Sequence, residues 1–315
     1  MTLPVICLMG PTASGKTGLS IELAQALNGE IVSVDSALIY RQMNIGTAKP
    51  DLHERAGVPH HLIDILDPVE SYSAQDFRDD ALALIDTIRQ RGRTPILVGG
   101  TMLYFRILLS PMAHLPPADP NLRAELDAQF RTQGPTALHG ELQRLDSEAA
   151  AAIHPHNRQR LIRAVEVCRL TGQPMTALWR RDQVLPAAGT VSNDFPGPTI
   201  QLAVAPRERK TLHGRIEKRF DRMLASGFED EVRALYERGD LTAEHASMRC
   251  VGYRQMWDYL SGHLPWSAMR ERGIIATRQL AKRQLTWLRG WRNVEHFDTL
   301  APDLARQVLE AIRRS

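Results

Sequence analysis

Eight consecutive residues near the start of the chain, Gly10, Pro11, Thr12, Ala13, Ser14, Gly15, Lys16 and Thr17, have the types and spacing to grip a phosphate group. They match G-x-x-x-x-G-K-[ST] and lie between an apolar run and an amphipathic stretch, the context that gives the motif meaning. Its glycines let backbone N–H groups curl around an anion, and the helix that follows adds its positive end. Lys16 neutralises phosphate charge in such a loop, and the Thr17 hydroxyl is the candidate ligand for Mg²⁺. A di- or triphosphate ligand is therefore implied, while the reaction stays open. Two more candidates end neighbouring β-branched runs: Asp35 after IVSV, and Thr101 after ILVGG. Asp35 suits either a metal-holding carboxylate or a base aimed at a second substrate. On these residues alone the reading is a kinase-like phosphotransferase with Asp35 as base.

The elements that must position these residues follow from pattern. Pro4–Met9, Glu30–Val34, Thr94–Val98 and Thr199–Ala205 are Val- and Ile-rich runs separated by helical spacing, which predicts a parallel sheet covered on both faces. A helix is expected from Gly15 to about Leu27. Another is expected over Gln75–Arg91, with Phe77, Ala81, Leu84, Ile85 and Ile88 on one face, Ser73 as N-cap and Gly92 as stop. Pro111, Pro116, Pro117 and Pro120 then punctuate a connection, and helical periodicity runs from Asn121 to about Leu178. Residues 183–198 read as a polar loop. The expected fold class is α/β: a P-loop NTPase-like parallel-sheet core (1–114 plus 199–315) with a helical insertion domain (115–198) and a basic helical C-terminal part. A last helix is expected near Leu304–Arg313.

Composition bounds the partners. Of 39 basic residues, five are Lys and 34 are Arg, against 36 acidic residues, so the net charge is only +3 and the chain is no global polycation. The basic excess is local. Arg270–Arg292 holds seven basic residues and one acidic one, with Trp287 and Trp291 nearby, the makeup of an RNA-backbone surface. Further clusters are Arg158, Arg160, Arg163 and Arg169 in the insertion, and Arg207–Arg222. His60-His61 and His154-Pro155-His156 have no carboxylate or cysteine at ligand spacing, so they are not read as metal sites. Three scattered cysteines (Cys7, Cys168, Cys250), no secretory leader and no long apolar run fit a reducing cytoplasm and exclude a membrane-spanning protein.

Nine strings, in order, change the functional reading: GPTASGKT (10–17), SVDSALIY (33–40), GTAKP (46–50), PHHLID (59–64), VGGTMLY (98–104), RLIRAVEV (160–167), LHGRIEKRF (212–220), MRCVGYRQ (248–255) and TRQLAKRQLTWLRGW (277–291). Together they resemble the tRNA dimethylallyltransferase family in its shorter, bacterial form, with no C₂H₂ finger after residue 292. The resemblance covers about residues 3–292 and departs from the family pattern at Leu38 and Met102.

The resemblance implies transfer of a dimethylallyl group from dimethylallyl diphosphate to N6 of the adenosine 3′ of the anticodon, with the P-loop holding the pyrophosphate and Mg²⁺ as cofactor. It implies Asp35 and Thr101 as the catalytic pair and Arg215 as a further diphosphate contact. For tRNA it implies contacts from Asp35, Ser36, Ala37, Leu38, Thr101, Arg123, Gln159, Arg160, Leu161, Ile162, Arg163, Met248, Arg249, Cys250, Lys282 and Arg283. The expected partners are dimethylallyl diphosphate and a tRNA anticodon stem-loop. No motif demands a second copy of the chain, so a monomer is expected. A small-molecule or nucleotide kinase and a non-catalytic RNA-binding P-loop protein are the alternative readings.

Overall fold

A computed structural model describes residues 3–110, 115–182, 188–192 and 195–315. In chain order the elements are β1 (Val5–Met9), α1 (Lys16–Ala26), β2 (Gly29–Val34), β3 (His60–His61), α2 (Ala74–Gln90), β4 (Thr94–Gly99) and α3 (Met102–Leu109). Helices α4 (Pro120–Gln133), α5 (Pro135–Leu145), α6 (Ser147–Ala152), α7 (Arg158–Thr171) and α8 (Met175–Arg181) follow. The chain then runs through β5 (Thr199–Ala205), α9 (Arg209–Ala225), α10 (Phe228–Glu237), α11 (Tyr253–Leu260), α12 (Trp266–Arg289), β6 (Glu295–Asp298) and α13 (Leu304–Arg314).

The six strands form one sheet in the order β3-β2-β4-β1-β5-β6, and every pair is parallel. Strand alternation sorts the central side chains. Val5, Cys7 and Met9 join Val32, Val34 and Leu97 under α2 and α3, while Ile6 and Leu8 join Ile31, Ile96 and Leu202 under α1 and α13. Both faces are covered, which is why the strands read as continuous apolar runs. The connection from β1 leads to β2 on one side, and the chain leaving β4 returns at β5 on the other. The carboxyl ends of β1 and β4 thus flank the point where connections diverge, where α/β sheets bind ligands.

Ser73 caps helix α2 as expected, and the structure adds a reciprocal capping box: the Asp76 N–H donates to Ser73 Oγ at 3.1 Å and the Ser73 N–H to Asp76 Oδ2 at 2.7 Å. Helices α9–α12 pack with Ile39, Tyr40 and Met43 in a separate core beside the sheet edge. Edge strands β3 and β6 were not foreseen; both are short, and β6 is polar.

Two compact units result: Met1–Leu109 with Ala187–Ser315, and Ser110–Pro186. The second unit has its own core, including Leu126, Leu138, Leu142, Leu161 and Val165. Its C-terminal limit corrects the expected 198. Residues 183–187 and 193–194 of the expected loop, like Pro111, lie outside the described residues. The rest belongs to the sheet unit: Ala188 and Phe195 are buried in its core, and the Ser192 N–H donates to the Leu109 carbonyl at 2.6 Å.

Candidate active site

The P-loop hangs from the carboxyl end of β1. Gly10 is required by crowding, because a Cβ there would collide with the Val204 carbonyl. Ala13 (φ 61°) and Gly15 (φ 97°) turn the backbone through the left-handed region, curling the loop into the concavity that precedes α1. Lys16 Nζ donates to the Pro11 carbonyl at 2.8 Å, folding the side chain over the loop. Burial pushes the Lys16 ammonium down to about 8, with Asp35 opposing the shift and Arg219 adding to it. A cation held in that condition gains from an anionic ligand.

Asp35 follows β2, one strand beyond β4. Its Oδ1 accepts the Ala37 N–H at 2.9 Å and the Leu38 N–H at 3.4 Å, which tightens the turn and fixes the carboxylate. Thr101 follows β4; its hydroxyl accepts the Ser36 N–H at 3.2 Å and its own N–H donates to the Val34 carbonyl at 3.2 Å. Lys16, Thr17, Asp35 and Thr101 all line one cleft of about 620 Å³, whose other walls carry Arg219, Arg249, Cys250, Arg283, Gln284 and Trp287. Asp35 is the only carboxylate among its described lining residues.

Arg215 lies beside the P-loop. Its Nη1 donates to the Ser14 carbonyl at 3.1 Å and to Thr299 Oγ1 at 3.2 Å, and it borders a second opening, of about 410 Å³, on the far side of the loop. Arg219 was missed. It stands four residues on, one turn along the same face of α9, lines both openings, and donates from Nη2 to the Thr47 carbonyl at 3.0 Å. Burial lowers its affinity for a proton and Asp35 offsets part of that effect. Gln284 was also missed: Oε1 accepts the Thr12 N–H at 2.9 Å and Nε2 donates to the Gly100 carbonyl at 2.9 Å.

The strings GTAKP and PHHLID brace the cleft wall. Buried Lys49 donates to the Tyr40 carbonyl at 2.7 Å and pairs with Asp64 at 2.5 Å. Glu231 of α10 accepts the amides of Asn44, Ile45 and Gly46 at 2.7, 2.7 and 3.1 Å, and the Tyr253 hydroxyl at 2.5 Å. His61 and Arg91 converge on buried Glu30, and His60 Nδ1 contacts the Val58 carbonyl, so the histidine pair is structural. Among the described residues no group of three His, Cys, Asp or Glu could hold a metal ion.

Burial and ion pairing sort the residues expected at RNA. Met248 and Leu161 are fully buried and Ile162 nearly so; their side chains belong to cores and cannot face RNA. Trp291 is likewise buried, donating from Nε1 to Gln201 Oε1 at 2.7 Å, whereas Trp287 faces the cleft under Arg106 at 5.7 Å. Arg169 is held by Glu125 and Glu141, Arg158 by Asp127, and both Arg123 and Arg163 by the buried carboxylate of Glu166. Arg270 and Arg278 pair with Asp221 and Glu217. Gln159, Arg160, Arg249, Lys282 and Arg283 remain exposed. Gly252 owes its place to φ 93° at the start of α11; a Cβ there would meet only the Phe228 and Phe220 rings, the nearer at 3.4 Å.

A parallel sheet with a P-loop at its switch point, and a carboxylate, a hydroxyl and the exposed Arg283 of α12 lining the same cleft, together fit a P-loop transferase. The family model described as IPP transferase matches residues 38–291. The tRNA dimethylallyltransferase of Chromohalobacter salexigens is 55% identical over 310 residues, covering 98% of this chain and 97% of its own. The tRNA isopentenylpyrophosphate transferase of Bacillus halodurans superposes with a TM-score of 0.70 at 40% identity, over 99% of this chain and 95% of that one. A eukaryotic dimethylallyltransferase, described as acting on tRNA, gives a TM-score of 0.80 at 28% identity, over 99% of this chain and 77% of that one. The chain belongs to the IPP transferase family.

Proposed function

We propose that the cleft joins the dimethylallyl group of dimethylallyl diphosphate to N6 of the adenosine 3′-adjacent to the anticodon in tRNA. The carrying observation is that the P-loop and the Asp35–Thr101 pair open onto one cleft that the exposed Arg249 and Arg283 also line. The P-loop amides, Lys16, Arg215 and Arg219 receive the diphosphate and stabilise the charge that grows on the bridging oxygen as it leaves. The new bond forms between N6 and the allylic carbon, and the C–O bond to pyrophosphate breaks. Asp35 accepts the N6 proton, and Thr101 contacts the amine.

The donor set fits Mg²⁺. Thr17 supplies a hydroxyl beside the phosphate loop, and a substrate-borne Mg²⁺ needs one or two protein ligands with diphosphate oxygens and water completing its shell. When bound, the ion would neutralise charge on the leaving group.

The target base must leave its stack to reach the cleft, which is least costly in a single-stranded loop, so the anticodon stem-loop is the fitting RNA. A kinase reading leaves the exposed basic residues of α12 without a role. A binding-only reading leaves Asp35, fixed in its turn and facing the P-loop, without one. We place the protein in the cytoplasm as a monomer. Its three cysteines are free, and no described helix is long and apolar enough to cross a membrane.

Incubation with dimethylallyl diphosphate, Mg²⁺ and unmodified tRNA should add one dimethylallyl group to adenosine, read by nucleoside mass. ATP consumption with no mass gain on adenosine would overturn the reading.

A further inference from the structure

Gln284 is a neutral amide inside a basic stretch of α12, and it is buried. Its two polar ends reach two different strand ends. The carbonyl takes the Thr12 N–H at the entry of the P-loop, 272 residues away, and the amide nitrogen donates to the Gly100 carbonyl, 184 residues away. Gly100 immediately precedes Thr101, and a Cβ there would press on the Gln284 amide nitrogen at 2.4 Å and meet the Gly10 carbonyl at 3.0 Å. The only direct backbone bond described between the two turns is Gly10 N–H to the Gly99 carbonyl at 3.2 Å.

We infer that Gln284 is a positioning residue. It sets the separation between the loop that holds the diphosphate and the strand end that presents Thr101 to the acceptor amine. The inference rests on the proposed transferase reading. Both ends of the amide are engaged by backbone, one at the P-loop and one at Gly100, so the effect we infer is on geometry. Displacing reacting groups by about 1 Å costs on the order of 10²-fold in rate, while binding groups that stay intact keep their affinity.

The test is steady-state kinetics of Gln284→Met, which keeps length and apolar bulk but makes neither bond. The second variant is Gly100→Ala, which leaves Gln284 in place and pushes its amide aside. Each should lower kcat about 10²-fold with both substrate KM values within about threefold of wild type. The double variant should be no slower than the slower single one, because both disturb one contact. A kcat near wild type in Gln284→Met, or multiplicative losses in the double variant, would overturn the inference. So would a loss carried mainly by KM, which marks general damage to the loop. If Gln284→Met does not fold, as judged by circular dichroism, Gly100→Ala alone decides by the same kcat criterion. Wild-type protein that fails to modify tRNA would sink the transferase reading itself, a distinguishable result.

Discussion

The Thr101 hydroxyl accepts the Ser36 N–H at 3.2 Å, so the residue proposed to contact the acceptor amine also fastens the turn that carries Asp35. One side chain serves two ends of the reaction. Thr101→Ser keeps an acceptor there and should retain most of the rate. Thr101→Ala leaves the turn unfastened and should lose at least tenfold in kcat with less effect on the KM for dimethylallyl diphosphate. Equal kcat in both variants would remove the hydroxyl from the argument.

Asp35→Asn separates base from scaffold. An asparagine Oδ1 still accepts the Ala37 and Leu38 amides, so the turn persists, but the side chain no longer takes a proton. Turnover should fall about 10²–10⁴-fold, the usual worth of a positioned base. Affinity for the diphosphate, measured by equilibrium titration, should change little. A large affinity loss would assign Asp35 to metal binding instead.

The ammonium of Lys16 carries a pH signature. Burial lowers it to about 8 in the free protein, so it is charged at pH 7 and mostly neutral by pH 9. A bound diphosphate favours the charged form. Binding above pH 8 must therefore take up a proton, and affinity should fall as pH rises through 8, by at most about one decade per pH unit. Lys16→Arg stays charged throughout, and its affinity should be nearly flat over pH 7–9.5. An unchanged slope in that variant would remove Lys16 as the source.

Glu231 is the brace of the cleft wall. Replacing it with Gln sets an NH₂ group against backbone N–H donors of which Ile45 and Gly46 are half-buried, a cost at or below the about 1–3 kcal/mol of a fully buried unpaired donor. Thermal unfolding should show Glu231→Gln less stable than Tyr253→Phe, which removes one bond and spares the three amides. The reverse order would make the tyrosine the anchor.

The P-loop, Asp35 and Thr101 were legible because contiguous chain does their work: a strand end, a tight turn and a capped helix are all local. The bounds of α2 were readable to within a residue for the same reason. Gln284 and Glu231 were not legible, because the backbone groups they hold lie some 180 or more residues away. Arg219 left a usable signal, since the i, i+4 spacing from Arg215 puts both on one face of α9. The ion pairs of the insertion's arginines were not legible either. A single helix's periodicity shows that Arg158 and Arg169 face outward, but not that Asp127, Glu125 and Glu141 meet them from neighbouring helices.

That sorting of arginines gives the last prediction. A cation already satisfied by two carboxylates must give up those bonds to take a phosphate, so Arg169 is a structural residue. Arg169→Ala should lower the melting temperature and leave the salt dependence of tRNA binding unchanged. Arg283 and Arg160 are exposed and have no described carboxylate partner, so a phosphate costs them only water. Each neutralised phosphate releases condensed counterions, and single-stranded RNA gives about 0.7 in the slope of log K against log salt per contact. Arg283→Ala and Arg160→Ala should each flatten the slope by about that amount, weaken binding several-fold at low salt, and leave the melting temperature within about a degree. If Arg169→Ala flattens the slope while Arg283→Ala does not, the ion pairs do not decide which arginines meet RNA, and the basic face of α12 is only a solvated surface.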